Sequence, residues 1–351
     1  MKKLITVILC LALCAAGVWG AVRLIRLLSA EPGGYEYALL ADGTAEITQY
    51  RGNAAEVEIP SELDGHRVSR IGEKAFFWRI MPTKIAIPEG VTAIGDGAFT
   101  GCARLQEIAI PRSVTAIGDR AFYRCARLNG VALPTGLLSL GSEAFGGCSS
   151  LEAIAIPASV ISVGDNPFLD CGRLVKLELA PEHPALAMKD GVLFSASGEK
   201  LICYPRTLGA TAYAVPEGTA EIGSGAFYGC DQLTEVILPR GLQSIGSGAF
   251  CGCAGLTGIE LPDTLAAIGS VAFSGCAGIG EIELPGGLSG ISYLTFYDCR
   301  RLRRVSVPNS VTAIDESAFI GCPDLTLLVE PDTFAEGWCR RNDFPYAASG
   351  A

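Results

Sequence analysis

The sequence contains little of the chemistry from which common active sites are built. Only two of its 351 residues are histidines, His66 in a predicted turn and His183 between two prolines. Neither lies near a patterned serine, cysteine or carboxylate pair, and the sequence has no G-x-x-x-x-G-K-S/T phosphate loop and no H-E-x-x-H zinc motif. These absences exclude nucleotide hydrolases and zinc proteases of the motif-bearing kinds. We therefore expect a protein that is not an enzyme and that uses no cofactor and no metal.

Basic charge is also scarce. The chain has 27 basic and 37 acidic residues, a net charge of −10. Four of the basic residues lie in the first 28 positions, which contain no acid, so the remainder carries 23 basic and 37 acidic side chains, or −14. Nucleic acids and anionic lipids both require clustered lysine and arginine. We therefore expect no nucleic-acid partner, and membrane contact only through the N-terminal segment.

Long helical runs are absent as well, and the 43 glycines favour many tight turns. The chain has instead a repeat of 23 residues, whose average unit is L-x-x-I-x-I/L-P-x-x-V/L-x-x-I-G-x-x-A-F-x-x-C. In one unit, Leu105, Ile108 and Ile110 alternate as in a short strand with one buried face, Pro111 ends the strand and Gly118 permits a turn. Such units bury their apolar face by stacking on one another. The sequence predicts a β-rich repeat solenoid with short 3₁₀ or irregular corners.

Two residue types recur with the repeat period, and stacking should turn each of them into a buried ladder. The phenylalanine ladder is Phe76, Phe99, Phe122, Phe145, Phe168, Phe227, Phe250, Phe273, Phe296 and Phe319. The cysteine ladder is Cys102, Cys125, Cys148, Cys171, Cys230, Cys253, Cys276, Cys299 and Cys322. Both ladders contain one step of 59 residues, which equals one normal unit and one enlarged unit of 36.

The cysteine ladder predicts free thiols. Cysteines of neighbouring coils would point the same way, whereas a disulfide needs facing Cβ atoms about 3.8 Å apart. We therefore expect nine buried thiols that pack as small hydrophobic side chains. Cys203, Cys251 and Cys339 lie outside the ladder, and the pair Cys251 and Cys253 has no neighbouring histidine to complete a zinc site.

The first residues predict export. Two lysines precede an uncharged run from Leu4 to Val22, which is long enough to span the hydrocarbon of a bilayer. We expect residues 1–28 to be a signal peptide or an N-terminal membrane anchor, followed by a linker over 29–34. The remainder would then be extracellular, or anchored with the repeats outside the cytoplasm.

Both ends of the array depart from the repeat, as the caps of a solenoid do. Residues 35–60 contain two alternating runs around Asp42 and Gly43, which predict a hairpin cap. Repeats follow over 61–322, with the enlarged unit near 180–215 predicted to protrude as a hairpin. Residues 323–351 are predicted to form a C-terminal cap with a short helix over Thr333 to Arg341 that buries Phe334 and Trp338.

Units such as "LQEIAIPRSVTAIGDRAFYRC", the insertion "DGVLFSASGEKLICYP" and the segment "VEPDTFAEGW" resemble the bacterial BspA-like leucine-rich repeat family. The resemblance covers about residues 35 to 346. It implies a curved, right-handed solenoid with a parallel sheet on its concave side, usually in secreted or cell-surface proteins that bind other proteins. The family has no common catalytic residues. This chain lacks the sorting motif or wall-binding domain that larger members carry after the repeats.

The outward positions of the predicted sheet are the natural place for a ligand. With Ile108 and Ile110 inward, the candidate ligand face by register is Glu107, Lys176, Glu178, Glu235, Ile237, Glu260, Glu281, Glu283 and Arg304. The later coils are acidic, so a cationic or mixed-charge protein surface would complement them. The hypothesis is a non-catalytic, adhesin-like recognition protein. Two alternatives stay open: a structural spacer of the envelope without a tight ligand, and a carboxylate-dependent hydrolase using Glu260 and Glu283.

Overall fold

The protein is a single continuous stack of coils. The computed structural model describes residues 34–349 and the backbone of Leu24–Arg26, so the predicted signal peptide or anchor over 1–28 lies outside the described residues except for these three. The chain winds into a β-solenoid of about 13 turns with parallel sheets and little helix. The predicted repeat solenoid is thus confirmed.

Short strands recur along the whole chain. Those before the enlarged unit are β1 (Leu24–Arg26), β2 (Tyr35–Leu39), β3 (Ala45–Tyr50), β4 (Glu56–Glu58), β5 (Glu62–Leu63), β6 (His66–Ile71), β7 (Lys84–Ala86), β8 (Ala93–Ile94), β9 (Glu107–Ala109), β10 (Ala116–Ile117), β11 (Ser139–Leu140), β12 (Ala153–Ile156), β13 (Ser162–Val163) and β14 (Lys176–Leu179). The enlarged unit contributes β15 (Leu186–Lys189), β16 (Val192–Ser195), β17 (Lys200–Cys203) and a 3₁₀ turn, Arg206–Leu208. The later elements are β18 (Ala212–Ala214), β19 (Glu221–Ile222), β20 (Glu235–Ile237), β21 (Ser244–Ile245), β22 (Ala267–Ile268), β23 (Glu281–Glu283), β24 (Gly290–Ile291), β25 (Arg304–Ser306), β26 (Ala313–Ile314), β27 (Thr326–Val329), α1 (Phe334–Asn342) and β28 (Tyr346–Ala348).

Each coil contributes to two parallel ladders of strands. The first ladder comes from the L-x-x-I-x-I segments: β4, β7 and β9 pair in register, as do β12 with β14, β18 with β20, and β23 with β25 and β27. The second ladder comes from the V-x-x-I segments and joins β6, β8, β10, β11 and β13, then β19, β21 and β22, then β24 and β26. Partners such as Lys84 and Glu107 are one 23-residue repeat apart. The 23-residue period of the sequence is therefore the number of positions that separates paired residues of neighbouring strands.

The corner after the second ladder is a run of tight turns whose hydrogen bonds alternate between two directions. The Phe99 amide donates to the Ala121 carbonyl of the next coil at 2.7 Å. The following Thr100 amide donates to the Gly97 carbonyl within the same turn at 3.0 Å. Gly101 again bonds the next coil, at Tyr123 O. The irregular corner is thus hydrogen-bonded both internally and to its neighbour.

The glycine of the I-G-x-x-A-F segment has a different function from the one its sequence suggests. Gly118 was expected to permit a turn, yet its φ is not in the left-handed region that favours glycine. A Cβ on Gly141, one coil later, would lie 2.4 Å from the Asp119 amide nitrogen of the preceding coil. The glycine therefore allows the two backbones to approach closely, although Ser292 and Asp315 take this position in later coils.

Stacked phenylalanines fill the interior beside these corners. Successive rings of the column lie 4.9 to 5.7 Å apart by centroid, except for 6.3 Å between Phe145 and Phe168. The Phe250 and Phe273 planes differ by only 2°. Every ring of the column is at most 4% exposed. The column is thus a continuous apolar stack within each half of the solenoid.

The enlarged unit is built into the stack, so the prediction that it protrudes as a hairpin is wrong. β15, β16 and β17 pair antiparallel, and β17 then pairs parallel with β19. Phe194 and Leu201 on this hairpin are 0% exposed. Its apolar residues pack against the coils on both sides. The buried residues of the protein form two clusters, and both include residues of this unit. Tyr204 takes the place of a phenylalanine, with its ring 5.1 Å from that of Phe227.

Caps close both ends. β2 and β3 form an antiparallel hairpin, and Tyr50 at its end stacks on Phe76 with a centroid distance of 4.8 Å. At the far end α1 begins after its N-cap Thr333 and buries Trp338, which contacts the Phe319 ring. The expectation that Phe334 is buried is wrong: it is 38% exposed, and its ring lies at the surface against the Arg341 guanidinium, 5.7 Å away.

The core of the described residues is built without the N-terminal hydrophobic run. Among residues 34–349, the buried apolar side chains lie between Tyr37 and Cys339. A chain of residues 23–351 therefore contains this core, both caps and strand β1, and we expect it to fold by itself.

Phe145→Ala tests the phenylalanine column. Removing a fully buried ring should destabilise the protein by about 3–5 kcal/mol, because the cavity cannot be filled by rigidly stacked neighbours. Denaturant unfolding of residues 23–351 measures the change. The control is Leu138→Ala, whose side chain is 46% exposed and which should cost less than about 1 kcal/mol. Equal losses for the two variants would contradict a continuous buried stack.

Candidate functional site

The first ladder presents a regular outward face. In β9 and β23 the central isoleucine is buried while the residues on either side are exposed. In β25 the inward Val305 is likewise buried and Arg304 is exposed. The candidate residues Glu107, Lys176, Glu178, Glu235, Ile237, Glu260, Glu281, Glu283 and Arg304 are all exposed. Strand alternation alone is enough to place them on one face.

The structure brings six of these candidates together and leaves three apart. A groove of 1110 Å³ runs along the first ladder in the later coils. The candidates that line it are Glu235, Ile237, Glu260, Glu281, Glu283 and Arg304. The other three, Glu107, Lys176 and Glu178, lie on earlier coils outside it.

The groove is acidic, with an apolar component. Arg304 donates to Glu281 across one coil step, so these two charges neutralise each other at one end. Glu235, Glu260 and Glu283 form no ion pair with any residue between 34 and 349. The Ile237 side chain is 56% exposed beside them. A ligand for this groove would supply positive charge and some apolar surface.

Asp263 also lines the groove and forms no ion pair within the described part of the chain. Sequence reasoning missed it because it follows Pro262, outside the strand whose alternation was used to select candidates. The available signal was its position in the repeat, since the turn after each proline borders the same face.

The candidates of the earlier coils are neutralised in pairs. Lys84 Nζ lies 3.2 Å from a Glu107 carboxylate oxygen, and Lys176 Nζ lies 3.0 Å from one of Glu178. Between them the outward residues are small, as at Ala153. These middle coils have little net charge, so the outward acids without an ion pair lie in the later coils and at Glu56 and Glu58 of β4, the first strand of the ladder.

The cysteine ladder is a column of thiols, each of which has a hydrogen-bond partner. Cys125 Sγ donates to Phe99 O at 3.3 Å, and Cys253 Sγ donates to Phe227 O at 3.1 Å. All nine ladder thiols contact the carbonyl of the aromatic residue one coil earlier in this way. Cysteine is therefore more than a small apolar side chain here, since it also satisfies a buried carbonyl.

All twelve cysteines between residues 34 and 349 are free, and eight of the ladder cysteines are buried. Cys322 is half-exposed, because the last full coil is only partly covered by the cap. Cys203, which the spacing left outside the ladder, interacts electrostatically with Cys171 and Cys230 on its two sides. The enlarged unit thus continues the column of thiols with Cys203, which the 23-residue period does not predict.

Burial suppresses the acidity of these thiols. Desolvation raises the pKa of Cys102 to about 12, opposed weakly by a backbone hydrogen bond at Arg79. It likewise raises the pKa of Cys171 to about 12. The reactive form of cysteine is the thiolate. The buried ladder thiols are therefore held in an unreactive form, whereas a hydrogen bond with Cys299 lowers the pKa of the half-exposed Cys322.

The histidines have structural contacts. His183 is buried, and its Nε2 lies 3.1 Å from Pro157 O while Nδ1 accepts from the Leu186 amide at 3.2 Å. His66 Nδ1 lies 3.0 Å from Gly43 O. Over residues 34–349 there is no group of three or more metal-binding side chains. That same region has no helix with the length and apolar character needed to cross a bilayer.

The repeat also identifies the relatives of the chain. The family model described as BspA type leucine rich repeat region matches residues 69–185 and 203–335, with six copies of the model. The chain belongs to this BspA-type leucine-rich repeat family. The match stops and resumes around the enlarged unit, where the antiparallel strands replace a standard coil.

Solved structures share the architecture. A leucine rich cell surface protein from Faecalibacterium prausnitzii is 29% identical, with a TM-score of 0.66 over 93% of this chain and 99% of that one. The pneumococcal vaccine antigen PcpA is 19% identical, with a TM-score of 0.61 over 92% and 98%. A leucine-rich repeat protein from Eubacterium ventriosum is 20% identical, with a TM-score of 0.64 over 86% and 84%. The last two similarities concern the fold alone. No curated protein matches the chain.

Thiol labelling tests the cysteine column. In native residues 23–351, only the half-exposed Cys251 and Cys322 should react quickly at about pH 8, because a rise in pKa from about 9 to 12 lowers the thiolate fraction about a thousandfold. Kinetics with a chromogenic disulfide reagent, followed by mass spectrometry of the labelled peptides, gives the number and identity of the fast thiols. The double variant Cys251→Ser with Cys322→Ser should lose the fast phase, whereas Cys253→Ser should keep it. Fast labelling of most ladder positions would show that the column is open to solvent.

Proposed function

We propose that this protein is a non-catalytic recognition protein, exported to the cell surface or secreted, and that it binds basic segments of other proteins through the acidic groove of its later coils. The single observation that carries the proposal is the groove itself. An exposed isoleucine and several carboxylates without an ion pair occur there together on a regular parallel sheet.

The geometry favours binding over chemistry. The groove is open, and its carboxylates project from successive strands of a regular ladder without a partner histidine, cysteine or lysine nucleophile beside them. Repeating side chains on rigid strands suit an extended ligand that contacts several coils at once. Exposed carboxylates without an ion pair are well solvated in the free protein. They therefore contribute mainly to the association rate and the selectivity of binding.

A location outside the cytoplasm is supported by a related protein and by the N-terminal hydrophobic run. The similar protein from Faecalibacterium prausnitzii is described as a cell surface protein. The uncharged run from Leu4 to Val22 is the segment that would direct the repeats out of the cytoplasm. A spacer without a ligand would have no need to combine unpaired acids with an exposed isoleucine in one groove.

A charge-neutralising triple variant tests the groove. Glu235→Gln, Glu260→Gln and Glu283→Gln together should weaken binding of basic probe peptides to residues 23–351 by about tenfold at physiological salt, as expected for losing three half-kilocalorie contacts. Fluorescence anisotropy with peptides matched in length and apolar content, but basic, neutral or acidic, measures the change.

The matched control is Glu107→Gln, Glu152→Gln and Glu178→Gln, which removes the same net charge from the earlier coils of the same ladder. It should change the dissociation constant by less than about twofold. If both triple variants weaken binding equally, the attraction is a property of net charge and the groove is not a site. If no basic probe binds at all, the spacer alternative replaces this proposal.

A further inference from the structure

The first corner of the solenoid exposes an unusual group of apolar side chains. Phe77 is 44% exposed, Trp78 50%, Ile80 52% and Met81 43%. The Phe77 and Trp78 rings meet edge to face at 6.2 Å. All four follow the buried Phe76 within one turn. They lie together at one corner, whereas the corners of two later coils expose Tyr293, Tyr297 and Ile320.

Trp78 occupies a backbone conformation that most other coils give to glycine. Its φ is +54°, and the equivalent Gly101 also has a positive φ, although Arg124, Asp170 and Asp298 take this position in other coils. A bulky side chain in this region is strained, whereas glycine is not. The Trp78 ring lies over Gly101, where an added Cβ would come within 2.6 Å of it. An exposed tryptophan is therefore held at a strained backbone position.

Arginines continue this patch along the next coils. By the 23-residue register, Met81 is followed by Arg104 and Arg127, and Trp78 by Gly101 and Arg124. These three arginines are exposed and form no ion pair within the described part of the chain. Arg124 lies over the Tyr123 ring at 5.3 Å. We call the set Phe77, Trp78, Ile80, Met81, Tyr123, Arg104, Arg124 and Arg127 the basic-aromatic corner.

The acids nearest in register form no ion pair with the arginines of this corner. Asp96 Oδ1 accepts from the Asp119 amide at 2.9 Å, and Asp119 Oδ1 accepts from the Ser142 amide at 2.7 Å. Their carboxylates are used to join successive coils. Three arginines without an ion pair thus lie beside exposed aromatic rings on a protein whose net charge is strongly negative.

The corner lies at the end of the solenoid nearest to the hydrophobic run. β1 begins two residues after Val22 and pairs with β2. β2 pairs with β3, whose Tyr50 stacks on Phe76, the residue directly before Phe77. A membrane that holds the run from Leu4 to Val22 would therefore lie at the end of the solenoid that carries this corner.

We propose that the basic-aromatic corner docks on the surface of an anionic phospholipid bilayer. Tryptophan, phenylalanine and methionine insert at the boundary between headgroups and acyl chains, while arginines pair with lipid phosphates and contribute about 1 kcal/mol each. A purely polyanionic glycan would use the arginines but would leave the four apolar side chains in water. This proposal departs from the expectation that membrane contact is confined to the N-terminal segment.

Docking by this corner would also orient the protein. The corner belongs to the first coils, and the acidic groove lies in the later ones, where its carboxylates would be repelled by an anionic surface. The groove would then face away from the membrane, available to a partner.

Vesicle binding by residues 23–351, which lack the hydrophobic run, tests the proposal. Sedimentation with phosphatidylglycerol-containing vesicles should retain the protein and weaken with added salt, whereas phosphatidylcholine vesicles should retain little. This fragment contains two tryptophans, and Trp338 is only 6% exposed in the C-terminal cap. A blue shift of tryptophan emission on binding therefore reports insertion of Trp78.

Substitutions copied from other coils avoid unfolding. Trp78→Gly matches the neighbouring coils and should abolish the blue shift while leaving the stability equal or higher. Arg104→Ser with Arg127→Ser matches Ser150 of the same register and should reduce partitioning by about 30-fold, the equivalent of two phosphate contacts. The control, Arg301→Ser with Arg303→Gln, removes two exposed charges from the far end and should change it less than about twofold.

Three results would overturn the proposal. They are equal partitioning onto neutral and anionic vesicles, equal losses for the two arginine variants, and binding to heparin that depends on Arg104 and Arg127 without any binding to vesicles. None of them bears on the acidic groove, because its peptide assay contains no lipid.

Discussion

Close contact between the corners of successive coils is the constraint on which the rest of the structure depends. Backbone amides at alternate positions of each corner donate to carbonyls of the next coil, as Phe99 does to Ala121 at 2.7 Å. Such bonds require the two backbones to approach within one strand spacing, and this excludes a Cβ at positions such as Gly141. The same spacing sets the phenylalanine rings about 5 Å apart, the distance for offset stacking. A single distance between coils thus allows the backbone hydrogen bonds, the ring stacking and the thiol hydrogen bonds together.

That constraint explains why the side chains inside are uniform and those outside are not. An interior residue contacts its own equivalents above and below, so any change of size is felt by two neighbours. Residues on the first ladder and on the corners have solvent on one side and vary without affecting the register. The acidic groove and the basic-aromatic corner are both built from such positions, at opposite ends of one scaffold. A rigid stack keeps the two surfaces at a fixed separation and in a fixed relative direction.

The enlarged unit shows how the stack accommodates an irregularity. An antiparallel hairpin could have been expelled as a loop, because loops on the surface need no matching partners. Here both faces of β16 and β17 are apolar, so burial of both against the adjacent coils is favourable. Tyr204 and Cys203 supply an aromatic ring and a thiol in the unit where the 23-residue period has no phenylalanine and no cysteine of the ladders. The two halves of the core are joined through this unit, and the column of thiols continues through Cys203.

The sequence by itself determined the repeat period, the strand alternation, the buried phenylalanines and thiols, and both caps, because each of these depends on residues a fixed number of positions apart. Reasoning from single positions failed where a residue has neighbours only in three dimensions: Phe334 in the exposed first turn of α1, Gly118 between two backbones, and the hairpin that is buried on both faces. Only the tertiary structure decided which outward residues share a groove and which charges are paired. Period and alternation say which face a side chain is on, whereas the pairing of Arg304 with Glu281, or the freedom of Arg104, depends on distances between coils that no one-dimensional pattern contains.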